Sequence, residues 1–294
     1  MLPTSTARAV GTGLSRAIMS DPDRSALAAA ARLLVVKVGT RVLTGADGLL
    51  DDRRIGSLGR QIDAVLAAGR QLVLVSSGAV GAGMGRMGLE RRPQELARLQ
   101  AVAAIGQSCL IEAYERVFRG HGRHAAQVLL VADDLKDRAR CLNIRNTLQA
   151  LLDYGAVPVV NENDTVSVEE LRTSFGDNDR LAALVATLLE APLLVLLSDV
   201  AGLYDRHPQE PGAVVLPHVG RIDAAVEGLA RDRPGGLSKG GMASKIAAAS
   251  IVTQAGGACI IASGHDDDVL GKVCRGEPVG TLFSGPRETR APSA

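Results

Sequence analysis

Tryptophan is absent from the 294 residues, and phenylalanine and tyrosine number three each. Aromatics make up 2% of a chain that is 46% hydrophobic, so the core has to be assembled from Ala, Leu and Val packed between helices and sheet. Neither sign of charge is in excess: 33 Lys and Arg stand against 32 Asp and Glu. No global field therefore favours nucleic acid or an anionic membrane, and any phosphate chemistry must rest on local placement of charge. Apolar runs such as residues 191–197 are far shorter than the roughly 20 residues that cross a bilayer. The four cysteines, Cys109, Cys141, Cys259 and Cys274, are scattered, with no CxxC pair and no histidine at metal-ligand spacing. Cys109 and Cys259 sit in apolar runs and read as small buried hydrophobes. Residues 1–27 contain Arg and Ala without periodicity, and they have no apolar signal-peptide core. They read as an unstructured extension, and the expectation is a soluble cytoplasmic protein.

What is present alternates. Short aliphatic runs at 33–38, 72–75, 127–131, 157–160, 193–197, 259–261 and 279–283 read as strands. Between them, helical spacing covers 53–68, 93–118, 138–152, 181–189, 222–229 and 242–254. Continuously apolar strands alternating with helices predict an α/β fold, a three-layer αβα sandwich around a mainly parallel sheet. A softer seam at 190–192 divides it into two lobes that share one sheet, about 28–189 and 190–285, with 286–294 as a tail.

Polar or glycine residues recur just past the strand ends: Gly39-Thr40, Ser76-Ser77-Gly78, Asn161 to Asp164 and Ser198-Asp199. In open parallel sheets that edge is where ligands bind. The segment PVVNENDTVSVEELRTSFGDNDR, residues 158–180, places one cluster of amides and acids after a strand and a second, Gly176-Asp177-Asn178-Asp179, before a helix. Helix and turn capping use one or two such residues, and the excess points to a polar ligand. Lys37 interrupts an aliphatic strand, where an ammonium is either solvated at an edge or held by a partner. Lys245 follows the loop GGLSKGGMASK in the first turn of a helix. Such a loop is either ordinary and flexible or a place where backbone N–H groups and a lysine meet an anion.

Several common signatures are missing. No GxxxxGK[ST] is present, and neither HRD nor DFG occurs, which argues against Walker-type and protein-kinase sites. A GxGxxG at Gly83, Gly85 and Gly88 lies well past the strand end at Val75, with no acidic residue closing a second strand, so it is a poor dinucleotide fingerprint. No GxSxG elbow exists, and no histidine falls in the polar clusters above, which disfavours a histidine-dependent hydrolase.

Together VVKVGTRVLT, LVSSGAVGAG, VPVVNENDTV with FGDND, LLSDVAGLYD and GLSKGGMASK resemble the amino acid kinase family, in order from about Leu33 to Phe283. The NEND and GDND pair and the KVGT start resemble the branch that uses ATP to phosphorylate the side-chain carboxylate of L-glutamate, the first step of proline synthesis. The resemblance implies an acceptor site at Ser77, Asp164 and Asn178. It implies a nucleotide site at Lys37, Ser198, Asp199 and the loop Lys239, Gly240, Gly241, Met242, Ala243, Ser244 and Lys245. Asp179 matches the aspartate thought to orient the two reactive lysines, Lys37 and Lys245. Mg²⁺ carried mainly by the nucleotide phosphates, proline as a feedback inhibitor and a homo-oligomer are implied in the same way. No residue is assigned as a metal ligand. Many members continue into a C-terminal domain related to RNA-modification enzymes, whereas this sequence ends at Ala294. Ser198 and Val200-Ala201 also vary from the commonest form. The alternatives are a family member with another carboxylate or phosphate acceptor, and a non-catalytic effector sensor.

Overall fold

The computed structural model describes residues 24–166, 177–230 and 241–285. In chain order the elements are α1 (Arg24–Ala30), β1 (Leu33–Val38), α2 (Thr40–Leu43), α3 (Asp52–Ala67), β2 (Gln71–Ser76), α4 (Ala79–Met87) and α5 (Leu96–Arg119). Then follow β3 (Ala125–Leu130), a 3-10 turn (Ala132–Leu135), α6 (Arg138–Asp153), β4 (Val157–Glu162), α7 (Asp177–Leu188) and β5 (Leu193–Ser198). The chain closes with β6 (His218–Val219), α8 (Ala224–Leu229), α9 (Gly241–Gln254), β7 (Ala258–Ser263), α10 (Val269–Arg275) and β8 (Thr281–Ser284).

One eight-stranded sheet runs β3-β4-β2-β1-β5-β7-β8-β6. All neighbours are parallel except β7 and β8, which are antiparallel. The α/β sandwich and the mainly parallel sheet read from the apolar runs are thus observed. Strand alternation sorts the side chains into two cores. Leu34, Val36 and Val38 of β1, with Leu72 and Leu74 of β2 and Leu197 of β5, join Ile55, Ile62, Tyr114 and Phe118 from α3 and α5 on one face. Val35, Val73, Val75, Leu194 and Leu196 join Leu181, Val185, Ile246 and Ala249 from α7 and α9 on the other. Period-2 geometry therefore places Lys37 on the second face, under α7 and α9.

Three expectations need correction. Residues 24–27 are not an unstructured extension but the first turn of α1, because the buried Arg24 donates to Val279 O at 2.9 Å and to Pro217 O, tying the helix to the segments that precede β8 and β6. Residues 1–23 and 286–294 lie outside the described residues. Cys259 is fully buried on β7, but Cys109 is only half-buried, because the long α5 turns that position away from the core. The helix α4 was not anticipated at all, since its three glycines weaken the helical signal. It forms through packing against α5. A Cβ on Gly83 would meet Val102 O at 1.9 Å, and one on Gly106 would meet Ala79 O at 1.8 Å, so the two helices touch backbone to backbone. Two of the GxGxxG glycines thus have structural work, Gly83 in this contact and Gly88 as the left-handed C-cap of α4 with φ 63°.

Candidate active site

The C-terminal ends of β4, β2, β1 and β5 line one edge of the sheet and open into a cleft of about 880 Å³. Backbone bonds fix the loops that leave these ends. Gly39 N–H donates to Leu197 O at 3.1 Å, and Ser77 N–H donates to Val38 O at 3.2 Å. Gly78, at φ 108°, makes the turn from β2 into α4, a conformation that side chains with a Cβ rarely adopt.

Lys37 sits in register between Val75 of β2 and Leu196 of β5, so it is not an edge lysine. An ammonium so placed requires a counter-charge. Asp179, in the first turn of α7, supplies it: Lys37 Nζ lies 2.8 Å from Asp179 Oδ1. From α9, Lys245 Nζ reaches Asp179 Oδ2 at 3.1 Å, and Ser244 Oγ donates to the same oxygen at 2.8 Å. Lys245 Nζ and Ser244 Oγ also donate to Gly241 O, at 3.1 and 3.2 Å. Exposures of 6% for Lys37, 0% for Asp179 and 9% for Lys245 put the triad at the cleft floor. Burial alone would raise the Asp179 carboxyl, but the two ammonium groups overcome it and hold the group at about 2. Two lysines around one aspartate leave one net positive charge where the cleft closes.

Successive residues of a helix point about 100° apart. Asn178, one position before Asp179, therefore faces Ser77 and Asn161 rather than the lysines. Its Nδ2 donates to Ser77 Oγ at 3.1 Å and to Asn161 Oδ1 at 3.0 Å. Asn161 Nδ2 in turn donates to Gln107 Oε1 at 3.0 Å, and its Oδ1 also accepts from Glu162 N–H at 2.9 Å. Ser77, Asn161 and Asp164 line the cleft, and Asn178 stands behind them. Asn161, which the resemblance leaves out of the acceptor site, is thus part of the wall. Its place depends on Gln107, 54 residues away, and no local pattern announces that.

Asp164 is 8% exposed, and its Oδ1 is buried without a hydrogen-bond partner among the described residues. Burial pushes its carboxyl up to about 6, with Arg92 pulling the other way.

At the end of β5 Ser198 Oγ donates to Asp199 Oδ1 at 3.1 Å, and Arg41 Nη1 of α2 pairs with Asp199 Oδ2 at 2.8 Å. Partial burial raises the Asp199 carboxyl, and these donors outweigh it and lower the group. Leu203, Tyr204, Leu229 and Met242 form the apolar wall beside them. Of the loop residues assigned to the nucleotide, Gly241, Met242, Ser244 and Lys245 line the cleft, and Ala243 is exposed outside it. Lys239 and Gly240 lie outside the described residues. One histidine, His207, lines the far wall, with its Nδ1 accepting from Gln209 N–H at 3.3 Å. Among the described residues no group of three His, Cys, Asp or Glu is placed to hold a metal, and no helix is long and apolar enough to cross a membrane.

Comparison with known proteins agrees with this geometry. The profile of the Amino acid kinase family matches residues 32–263. The glutamate 5-kinase of Moorella thermoacetica is 50% identical over 262 residues, covering 89% of this chain and 68% of that protein. Those of Rhodopirellula baltica and Azoarcus sp. are 48% and 49% identical, over 88% and 86% of this chain and 66% and 68% of theirs. The chain thus spans about two thirds of the length of these relatives. In fold it is similar to a carbamate kinase from Giardia lamblia bound to AMP-PNP, with a TM-score of 0.61 and 18% identity over 87% of this chain and 99% of that one. A UMP kinase from Bacillus anthracis aligns with a TM-score of 0.57 and 12% identity, over 86% of this chain and 96% of that one. The profile match and the relatives together establish that the chain belongs to the amino acid kinase family, in its glutamate 5-kinase branch.

Proposed function

We propose that this chain transfers the γ-phosphoryl group of ATP to the side-chain carboxylate of L-glutamate, giving L-glutamyl 5-phosphate, the first step of proline biosynthesis. The observation that carries the reading is the buried Lys37–Asp179–Lys245 triad beneath a cleft whose one wall is polar and whose other is partly apolar.

A glutamate side-chain carboxylate, with a pKa of about 4.3, is already an anionic nucleophile at neutral pH. No general base is needed. The difficulty is to bring that anion against a phosphoryl group that is also negative, and phosphoryl transfer is helped mainly by positioning and compensating charge. Lys37, on the strand next to β2, bridges oxygens of the transferring group, and Lys245 neutralises the leaving side. Asp179 keeps the two ammonium groups from repelling each other apart and fixes their spacing. Asp164 receives the α-ammonium of glutamate. Ser77 and Asn161 present polar groups beside it, and Asn178 orients both from behind.

Ser198, Asp199 and the start of α9 hold the nucleotide. Mg²⁺ would be carried mainly by the nucleotide phosphates, since it keeps several waters and needs few carboxylates. Bound there, it would offset phosphate charge, and no residue of the chain is assigned as its ligand. Feedback by proline, a homo-oligomeric assembly and a cytoplasmic setting belong to the same reading.

The test is ATP-dependent hydroxamate formation with L-glutamate against N-acetylglutamate, run with and without proline. Turnover of glutamate alone supports the assignment. Preference for the acetylated acceptor, or glutamate binding without turnover, overturns it.

A further inference from the structure

Among the described residues, Arg92 is a charged side chain of the cleft lining that the proposed phosphoryl transfer does not use. Arg92 lies in the connection between α4 and α5, exposed to solvent yet part of the cleft lining. Pro93 follows it and restricts its backbone to extended conformations, which limits where the guanidinium can reach. Asp164 lines the same cleft, buried with a carboxylate oxygen that has no partner among the described residues. Arg92 is the cation whose field Asp164 feels.

L-Glutamate presents a problem of choice. Its two carboxylates are chemically similar, and the lysines at the cleft floor attract either one. Asp164 alone binds the α-ammonium but also repels the α-carboxylate attached to the same carbon. A cation at the far end removes that conflict and gives the α-carboxylate a place away from Lys37. An arginine suits this role, because its planar fork matches a carboxylate in a bidentate geometry.

We infer that Arg92 and Asp164 form a two-point reader for the amino acid end of the acceptor: Arg92 takes the α-carboxylate, Asp164 takes the α-ammonium, and the side-chain carboxylate alone is left to face Lys37. Arg92 is thus a specificity-determining residue. The inference rests on the glutamate kinase reading above, and its test separates the two.

The measurement compares Arg92→Leu and Arg92→Lys with the unsubstituted chain on two acceptors, L-glutamate and L-isoglutamine, in which the α-carboxylate is an amide. Loss of a charge-assisted contact to the ligand is expected to raise the KM for glutamate by about tenfold or more in Arg92→Leu, with kcat falling far less. The KM for isoglutamine should not move, so the preference for glutamate over its amide collapses, and Arg92→Lys should recover part of it. An unchanged glutamate KM in Arg92→Leu overturns the inference. An equal loss on both acceptors also overturns it, since that is the mark of a merely structural residue. If the unsubstituted chain does not phosphorylate glutamate, the parent reading fails. Calorimetric titration with glutamate then still judges Arg92 by whether Arg92→Leu weakens binding.

Discussion

At the cleft floor two ammonium groups share one carboxylate before any ligand arrives. Both oxygens of Asp179 face an ammonium group, and Ser244 adds a donor to one of them. Elsewhere in the same cleft Asp164 is also buried, at 8% exposure against 0% for Asp179, but has an oxygen without a partner among the described residues. Burial acts on both carboxyls in the same direction. Two lysines reverse it at Asp179, which sits at about 2, and a single exposed arginine does not at Asp164, which sits at about 6. The first site is organised to hold its geometry, as transition-state stabilisation by fixed charges requires. The second has bonds left to make, and a ligand that makes them gains binding energy there. On the proposed reading, catalysis and recognition within one cleft are separated by whether the carboxylate already has its partners.

The largest effect should come from removing the shared anion. Asp179→Asn leaves two buried ammonium groups facing each other, and we expect kcat to fall by about three orders of magnitude. Thermal unfolding should show a loss of roughly 3 kcal/mol, the scale for breaking a buried ion pair. Near-normal turnover in Asp179→Asn would mean that the triad is scaffold rather than machinery.

Next in size are the lysines one at a time. Lys37→Met and Lys245→Met should each lower kcat by about a hundredfold or more while the KM for glutamate stays within about threefold. The opposite split in steady-state kinetics would move those residues from transfer to binding.

The third prediction sets the two aspartates against each other. Stability from Asp179, whose folded pKa is depressed, is present above its ordinary value of 3.8 and lost as pH falls towards about 2. Asp164 has a raised folded pKa, so its buried charge costs stability above about 6, and that cost fades as pH falls from about 6 towards 3.8. Asp164→Asn should therefore stabilise the ligand-free chain at pH 7, by about 1–3 kcal/mol in thermal or denaturant unfolding. The same substitution should raise the glutamate KM strongly. In the unsubstituted chain that KM should climb as pH drops below about 6, and in Asp164→Asn it should be flat. A destabilised Asp164→Asn would show that its carboxylate is already satisfied.

The smallest effect is expected at the cleft mouth. The Arg41 side chain is 71% exposed in its pair with Asp199, and Arg41→Ala should change stability by less than about 1 kcal/mol. A larger loss on unfolding would place that pair with the triad rather than with the surface.

The sheet was legible because buried parallel strands are written as unbroken aliphatic runs, and Lys37 stood out as the break in one of them. The triad was legible in part: Asp179 and Lys245 each occupy the start of a helix next to an unusual polar or glycine-rich segment. Its geometry was not, since whether three side chains meet depends on strand order, with β1 between β2 and β5. Asn161 and Arg92 were missed for a related reason. One is held by Gln107 on a distant helix, and the other lies in a connection with no periodic pattern. The strand β6, two residues long, is too short to carry a signal of its own.

The contact between α4 and α5 has a consequence for the cleft. The loop bearing Ser77 and Gly78 runs directly into α4, and α4 is seated on the 24-residue α5 with no room for a methyl group at Gly83 or Gly106. A single added carbon at Gly106, out of reach of any substrate, acts as a wedge. It lifts Ala79 and with it the serine that Asn178 holds in place. The tolerance of the cleft wall to sequence drift is therefore set behind it, at a helix crossing with no room for a side-chain carbon.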